Sequence, residues 1–170
     1  MKNVERILVL ASAALLLISP KVFSKELKVG VVDIQKIYAA YDKAKKSLAD
    51  LQAEKDKKQE EYNKKAAELR KLNDEYNANK DKMKDAQKKE LLAKIRDAKR
   101  DLDSFKKQSD EYLVAKNQDM TRERIQEVVE AAKAYAAENG FDIVVNANTT
   151  IYFAQPLDIS DAVIKKINGK

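Results

Sequence analysis

The chain has 170 residues, of which 36% are charged and only 6% aromatic, with no Trp, Cys or His and a formal net charge of +6. So polar a composition leaves little apolar surface for a single round core of this length. Without His and Cys the commonest general base, the thiolate nucleophile and the imidazole metal ligand are missing, so an enzyme is the least supported class and no cofactor or metal is expected.

The first segment reads as an export signal. Lys2 and Arg6 precede an apolar run from Ile7 to Ile18, Pro20 breaks any helix, and Val22 and Ser24 are the small residues that favour cleavage. Residues 1–24 are therefore expected to be a cleaved signal peptide, because that run is shorter than the ~20 residues needed to span a bilayer. The mature protein would be exported and soluble. Zero cysteine excludes a lipoprotein and any disulfide framework.

Leu27-Lys28-Val29-Gly30-Val31-Val32 follows as a short β-branched strand. Between Gly30 and Gly140 the chain then runs 109 residues without a glycine or proline, filled mostly with good helix formers. As one helix this stretch would reach roughly 160 Å, too long for any compact domain. Strands at both its ends favour a doubled-back helical hairpin that brings those strands into one sheet. The reversal is placed between Asn77 and Asp85, where Asn73, Asp74, Asn77, Asn79, Asp81 and Asp85 concentrate turn and cap formers.

On the outgoing arm Leu48, Leu51, Lys55, Lys58, Tyr62, Lys65, Leu69, Leu72 and Tyr76 alternate spacings of three and four, a heptad seam with lysines at three positions. Leu91 or Leu92, Ile95, Ala98, Leu102, Phe105, Ser109 and Tyr112 keep that spacing on the return, and Thr121, Ile125, Val128, Ala132 and Tyr135 resume it with a shifted phase. A seam this polar predicts arms that splay and close. From Lys43 to Asp110 there are 21 Lys/Arg against 15 Asp/Glu, so the arm is basic.

Beyond Asn139-Gly140, a helix stop, Ile143-Val144-Val145 and Ile151-Tyr152-Phe153 are expected to form a β-hairpin across Asn146–Thr150. A last amphipathic helix is expected from an N-cap at Ser160 to Asn168, covering the sheet with Ile159, Val163, Ile164 and Ile167. The fold class is α+β: a small β-rich body, residues 25–42 and 120–170, carrying a long helical hairpin, residues 43–119, as an antiparallel coiled-coil arm. So small a sheet buries little alone, and Val29, Val31, Ile34, Ile143, Val145 and Ile151 offer apolar surface for oligomerisation.

In this order and spacing, Lys28-Val29-Gly30-Val31-Val32-Asp33-Ile34-Gln35-Lys36-Ile37, the charged hairpin, Gly140-Phe141-Asp142-Ile143-Val144-Val145 and Asp158-Ile159-Ser160-Asp161-Ala162-Val163 resemble the Skp (OmpH-like) family of periplasmic chaperones. The resemblance spans the mature chain. It implies a periplasmic, jellyfish-shaped homotrimer whose arms enclose unfolded outer-membrane β-barrel proteins, with no nucleotide or metal. On that reading the client-binding candidates are Tyr62, Leu69, Leu72, Tyr76, Met83, Leu91, Leu92 and Phe105, apolar points on a basic surface. Most of these positions serve equally as seam residues.

A basic patch at the tip, Lys80, Lys82, Lys84, Lys88 and Lys89, suits anionic lipid, lipopolysaccharide or acidic client segments, although Asp81, Asp85 and Glu90 intersperse it. A lipopolysaccharide site proposed for some family members is not carried over, because Leu113-Val114 occupies the equivalent stretch and Arg122 and Arg124 lie further on. Nucleic-acid binding conflicts with export and with the interspersed acids. The alternative is a structural coiled-coil spacer or adaptor of the cell envelope, which would need a well-packed seam.

Overall fold

The computed structural model describes residues 26–170, so the expected signal peptide, residues 1–24, lies outside the described residues. In chain order the elements are β1 (Val29–Val32), α1 (Ile34–Ala40), α2 (Asp42–Asn79), α3 (Asp85–Glu138), β2 (Ile143–Asn146) and α4 (Ser160–Ile167), with 3₁₀ turns at Ala147–Thr149 and Gln155–Leu157. At 38 and 54 residues, α2 and α3 run about 57 and 81 Å and form the hairpin arm.

The reversal is the segment between Asn79 and Asp85. Lys82 and Met83 N–H both donate to the Asn79 carbonyl, and Lys84 N–H donates to Gln87 Oε1 at 3.0 Å, so side chains near the turn take up backbone groups that a helix end leaves free.

The excess length of α3 enters the body. Its last turns pack Val128 and Ala132 against Ile37 of α1, Ala44 of α2 and Val163 of α4, while Val32 and Ile159 close the core from the sheet side. Asp33 starts α1 by accepting from Gln35 N–H at 2.9 Å and Lys36 N–H at 3.0 Å. At the other end of α3, Gly140 takes φ +68°, Phe141 N–H donates to Ala136 O and Gly140 N–H to Ala137 O. That pair of bonds is a Schellman cap, and the left-handed turn it needs falls on glycine.

The sheet differs from expectation. It has two strands, β1 and β2, paired in parallel with Val31 opposite Val145, plus one isolated bridge from Val31 to Asp158. Parallel pairing is natural because the connection between the strands is the whole arm, not a tight turn. The expected hairpin is absent, and Ile151-Tyr152-Phe153 form no strand. Locally, Asn146 Oδ1 accepts from Asn148 N–H, and the Thr149 and Thr150 hydroxyls donate to Asn146 O at 2.8 and 3.1 Å. These bonds close a 3₁₀ turn that ends β2 and sends the chain onward.

The last helix starts one residue earlier than expected and ends one residue sooner. Ile159 occupies the N-cap, Asp158 Oδ1 accepts from Ser160 N–H at 2.8 Å, and the helix ends at Ile167 with Asn168 as C-cap. Ser160 does not cap because its hydroxyl, buried, accepts from Asp33 N–H at 2.8 Å, joining α4 to the end of β1. Gly30 has a steric reason as well: a Cβ there would sit 2.9 Å from Ile159 Cδ1 and 3.1 Å from Phe141 Cδ1.

A second departure lies inside the stretch without glycine or proline. The helical run breaks at Tyr41, whose φ −72° and ψ 118° are extended, so α1 belongs to the body and α2 begins anew at Asp42.

Candidate functional site

The arm is held by a thin seam. On α2 only Ala44 is buried, whereas α3 buries Leu91, Leu102 and Ser109 along the arm. Leu91, 7% exposed, takes the seam position and leaves Leu92 45% exposed. Tyr62, Leu69, Leu72, Tyr76 and Phe105 on the helices and Met83 in the turn are all half-buried.

At mid-arm two of the three seam lysines, Lys58 and Lys65, do what apolar residues would otherwise do. Lys58 Nζ lies 5.6 Å from the Phe105 ring centre and 5.9 Å from that of Tyr112, and Lys65 Nζ also lies 5.6 Å from the Phe105 ring centre. Such contacts hold about 0.5–1 kcal/mol each at exposed sites. Beside them Lys55, Tyr62, Phe105, Lys106 and Leu113 line a groove of about 250 Å³, with an aromatic floor and a basic rim. Nearer the body, Glu54 bridges the arms by accepting from the Tyr112 hydroxyl at 2.6 Å and pairing with Lys116. The Lys116 hydrogen bond, then that of Tyr112, holds the Glu54 carboxyl below its ordinary range and so keeps the bridge charged.

Lys64, Lys94 and Lys107 pair with Glu60, Glu90 and Glu111 along their own helices. Among the described residues, Lys80, Lys82, Lys84, Lys88 and Lys89 enter no ion pair, and all except half-buried Lys88 are exposed. The patch therefore presents positive charge at the point furthest from the body.

The apolar body residues fall into different settings. Val31 is 2% exposed and filled by the chain's own packing, and Ile34 is half-buried against the core. Val29 and Val145 are half-buried, Ile143 is 45% exposed, and Ile151 stands fully clear of the chain with Tyr152 beside it. A cleft of about 490 Å³ runs along the outer edge of β2, with Ile34, Val129, Ala136, Phe141 and Val145 in its walls. Among the described residues that edge has no strand partner.

Glu127 at the arm root was not visible from periodicity. It accepts from the Tyr41 hydroxyl at 2.9 Å and from Lys43 Nζ at 2.5 Å, and Arg124 Nε lies 3.4 Å away. Burial alone would raise its carboxyl; the bonds from Lys43 and Tyr41 and the charges of Arg124 and Lys43 outweigh that and hold it below the ordinary 4.5. A depressed carboxylate stabilises the fold above its unfolded value and loses that contribution as pH falls through the folded one. Glu127→Gln is therefore expected to lower the urea midpoint at pH 7 and to approach the wild type as pH drops below 4.5. Parallel midpoints from pH 7 to pH 3 would show that Glu127 contributes nothing through its charge.

Among the described residues no group of His, Cys, Asp or Glu could hold a metal, and no helix is long and apolar enough to cross a membrane. A model of the family described as outer membrane protein (OmpH-like) matches residues 28–167. The crystal structure of a protein from Caulobacter crescentus CB15, considered an outer membrane chaperone (OmpH-like), superposes with a TM-score of 0.78 over 84% of this chain and 85% of that one, at 12% identity. At that identity the likeness is one of fold. No curated protein sequence matches the chain.

Proposed function

The chain belongs to the OmpH-like family of outer membrane proteins, and from that premise we propose that it is an ATP-independent periplasmic holdase that encloses unfolded outer-membrane proteins between its helical arms. It keeps them from aggregating and delivers them for membrane insertion. The observation that carries the reading is the arm itself: two long helices whose seam buries no residue of α2 beyond Ala44, which lies in the body core, and leaves aromatic and aliphatic side chains half-buried beside lysines. A surface of that kind binds an extended chain weakly at many points, and affinity accumulates through multivalency. A spacer would need the seam packed.

Tyr62, Leu69, Leu72, Tyr76, Met83, Leu92 and Phe105 are the proposed contact points, with Leu91 contributing only where the seam parts. Val29, Ile143, Val145 and Ile151 are the proposed joining surface of a homotrimer, since the uncovered β2 edge and its cleft are apolar and chain-sized. The five tip lysines are proposed to meet anionic lipid or lipopolysaccharide during delivery. Release follows from the client's own folding into the bilayer.

The test dilutes a urea-denatured outer-membrane β-barrel protein into buffer with and without the mature chain and follows light scattering, with a folded soluble protein as control client. Scattering should fall sharply at stoichiometric chaperone and the folded control should not bind. Equal aggregation with and without the chain would sink the holdase reading.

A further inference from the structure

We propose that the chain break at Tyr41 is the hinge on which α2 swings away from α3, and that the side-chain amide of Asn168 is its latch. The inference rests on the opening-arm reading and names how opening is regulated. Between Gly30 and Gly140 there is no residue whose chemistry forces a break, yet the helix stops at Ala40 and restarts at Asp42. Stopping a helix frees carbonyls at its end, and restarting one frees N–H groups at its beginning. Both kinds of group appear within two residues here.

One side chain takes up one of each. Asn168 Oδ1 accepts from Asp42 N–H at 3.0 Å, and Asn168 Nδ2 donates to Ala40 O at 3.1 Å. A primary amide offers an acceptor and a donor from one planar group, whereas an ionised aspartate at this position would set an oxygen against the Ala40 carbonyl. The latch is itself well placed. Asn168 is the C-cap of α4, Gly169 turns at φ +70°, and α4 is fixed to the body by fully buried Val163 and by the Ser160 hydroxyl on Asp33. The C-terminal helix thus holds the arm root from the body side.

The asymmetry of the two arm helices makes this joint mechanical. α3 is continuous from Asp85 to Glu138 and carries the arm rigidly into the core, so α2 alone has a joint. Beyond Ala44 nothing on α2 is buried, and swinging it outward breaks the Asn168 bonds, the Tyr41 and Lys43 bonds to Glu127, the Glu54 bridge to Tyr112 and Lys116, and the loose seam. Of these, only the Asn168 bonds tie α2 to the C-terminal helix through its backbone.

The test uses the full mature chain. It has no cysteine, so Ala67→Cys on α2 and Thr149→Cys on the body can be spin-labelled and diluted with unlabelled chain for pulsed distance measurement. With Asn168→Asp or Asn168→Ala in that background, the distance distribution is expected to widen at least twofold while far-UV dichroism stays at the wild-type value. A distribution that superimposes on the parent overturns the latch.

Hydrogen exchange of the unmodified protein decides the same question if the variants fold poorly. Asp42 N–H, although in the first turn of a helix, should exchange at least tenfold more slowly than Lys43 N–H. Equal rates would mean that no latch forms. Neither readout involves a client, so the latch fails or stands separately from holdase activity.

Discussion

Replacing Ile37 with alanine is expected to lower the stability of the body by about 2–5 kcal/mol, the range for emptying a fully buried aliphatic site. α1 has seven residues, far too few to persist alone, and Ile37 is its one buried side chain, 0% exposed among Val128, Ala132 and Val163. Its loss removes apolar contact from α3 and α4 at once and leaves a void beside a helix whose other apolar anchors, Ile34 and Tyr38, are only partly buried. Urea denaturation followed by far-UV dichroism measures the change. Because the arm adds helical signal of its own, the body transition is best isolated with a probe near Tyr135. A midpoint within error of the wild type would show that the core is organised around other residues. Ile151→Ala is the matched control: the side chain stands free of the chain, so in the isolated chain its removal should change stability by less than about 0.5 kcal/mol.

The second large effect is expected from Lys55, Lys58 and Lys65 changed together to leucine. At present Lys58 and Lys65 lie over Phe105 and hold the two helices by contacts of about 0.5–1 kcal/mol apiece. A leucine fully buried at such a position contributes about 1.5–3 kcal/mol. The mid-arm groove would fill and the seam would become continuous from Leu51 to Leu72. The variant should melt at higher temperature, keep its affinity for a small unfolded barrel, and lose about tenfold for a large one that requires the arms to part. Binding titrations against eight- and sixteen-stranded barrels separate these outcomes. If both clients bind as to the wild type, arm stiffness does not set cavity size.

How far the fold could be read from the chain differs element by element. The arm was legible because helix propensity, the missing breakers and a repeat spacing of three and four all report local geometry, and the turn at Lys80–Lys84 falls where asparagine and aspartate cluster. The same holds for Gly140, whose left-handed φ follows an Asn-Gly pair at the end of a helix. The hairpin was misread. Ile143–Val145 and Ile151–Phe153 have similar β-branched and aromatic patterns, and only the bonds from Asn148, Thr149 and Thr150 back to Asn146 decide that the first pairs and the second does not.

At the candidate site the division is sharper. That Tyr62, Leu69, Leu72 and Tyr76 share a face of α2, and Leu102 and Phe105 one of α3, was visible in their spacing, but whether a face closes or stays half open depends on what stands opposite. Leu91 and Leu92 could not be told apart in the chain; the hairpin's register buries one and exposes the other. Glu127 and Asn168 carried no signal at all, since a glutamate on a charged helix and an asparagine near a terminus are ordinary until the fold brings them to the break at Tyr41.

By itself, then, the amino-acid order determined the long basic hairpin, its turn, and the class of surface it presents, because these follow from backbone propensity and periodicity within a few turns of helix. Tertiary structure alone decided the parallel sheet, the joint at Tyr41 and the groups that hold it. Each of those depends on residues more than 80 positions apart, Tyr41 with Glu127 and Ala40 with Asn168, and no local preference encodes a hydrogen bond that forms only after the arm has doubled back.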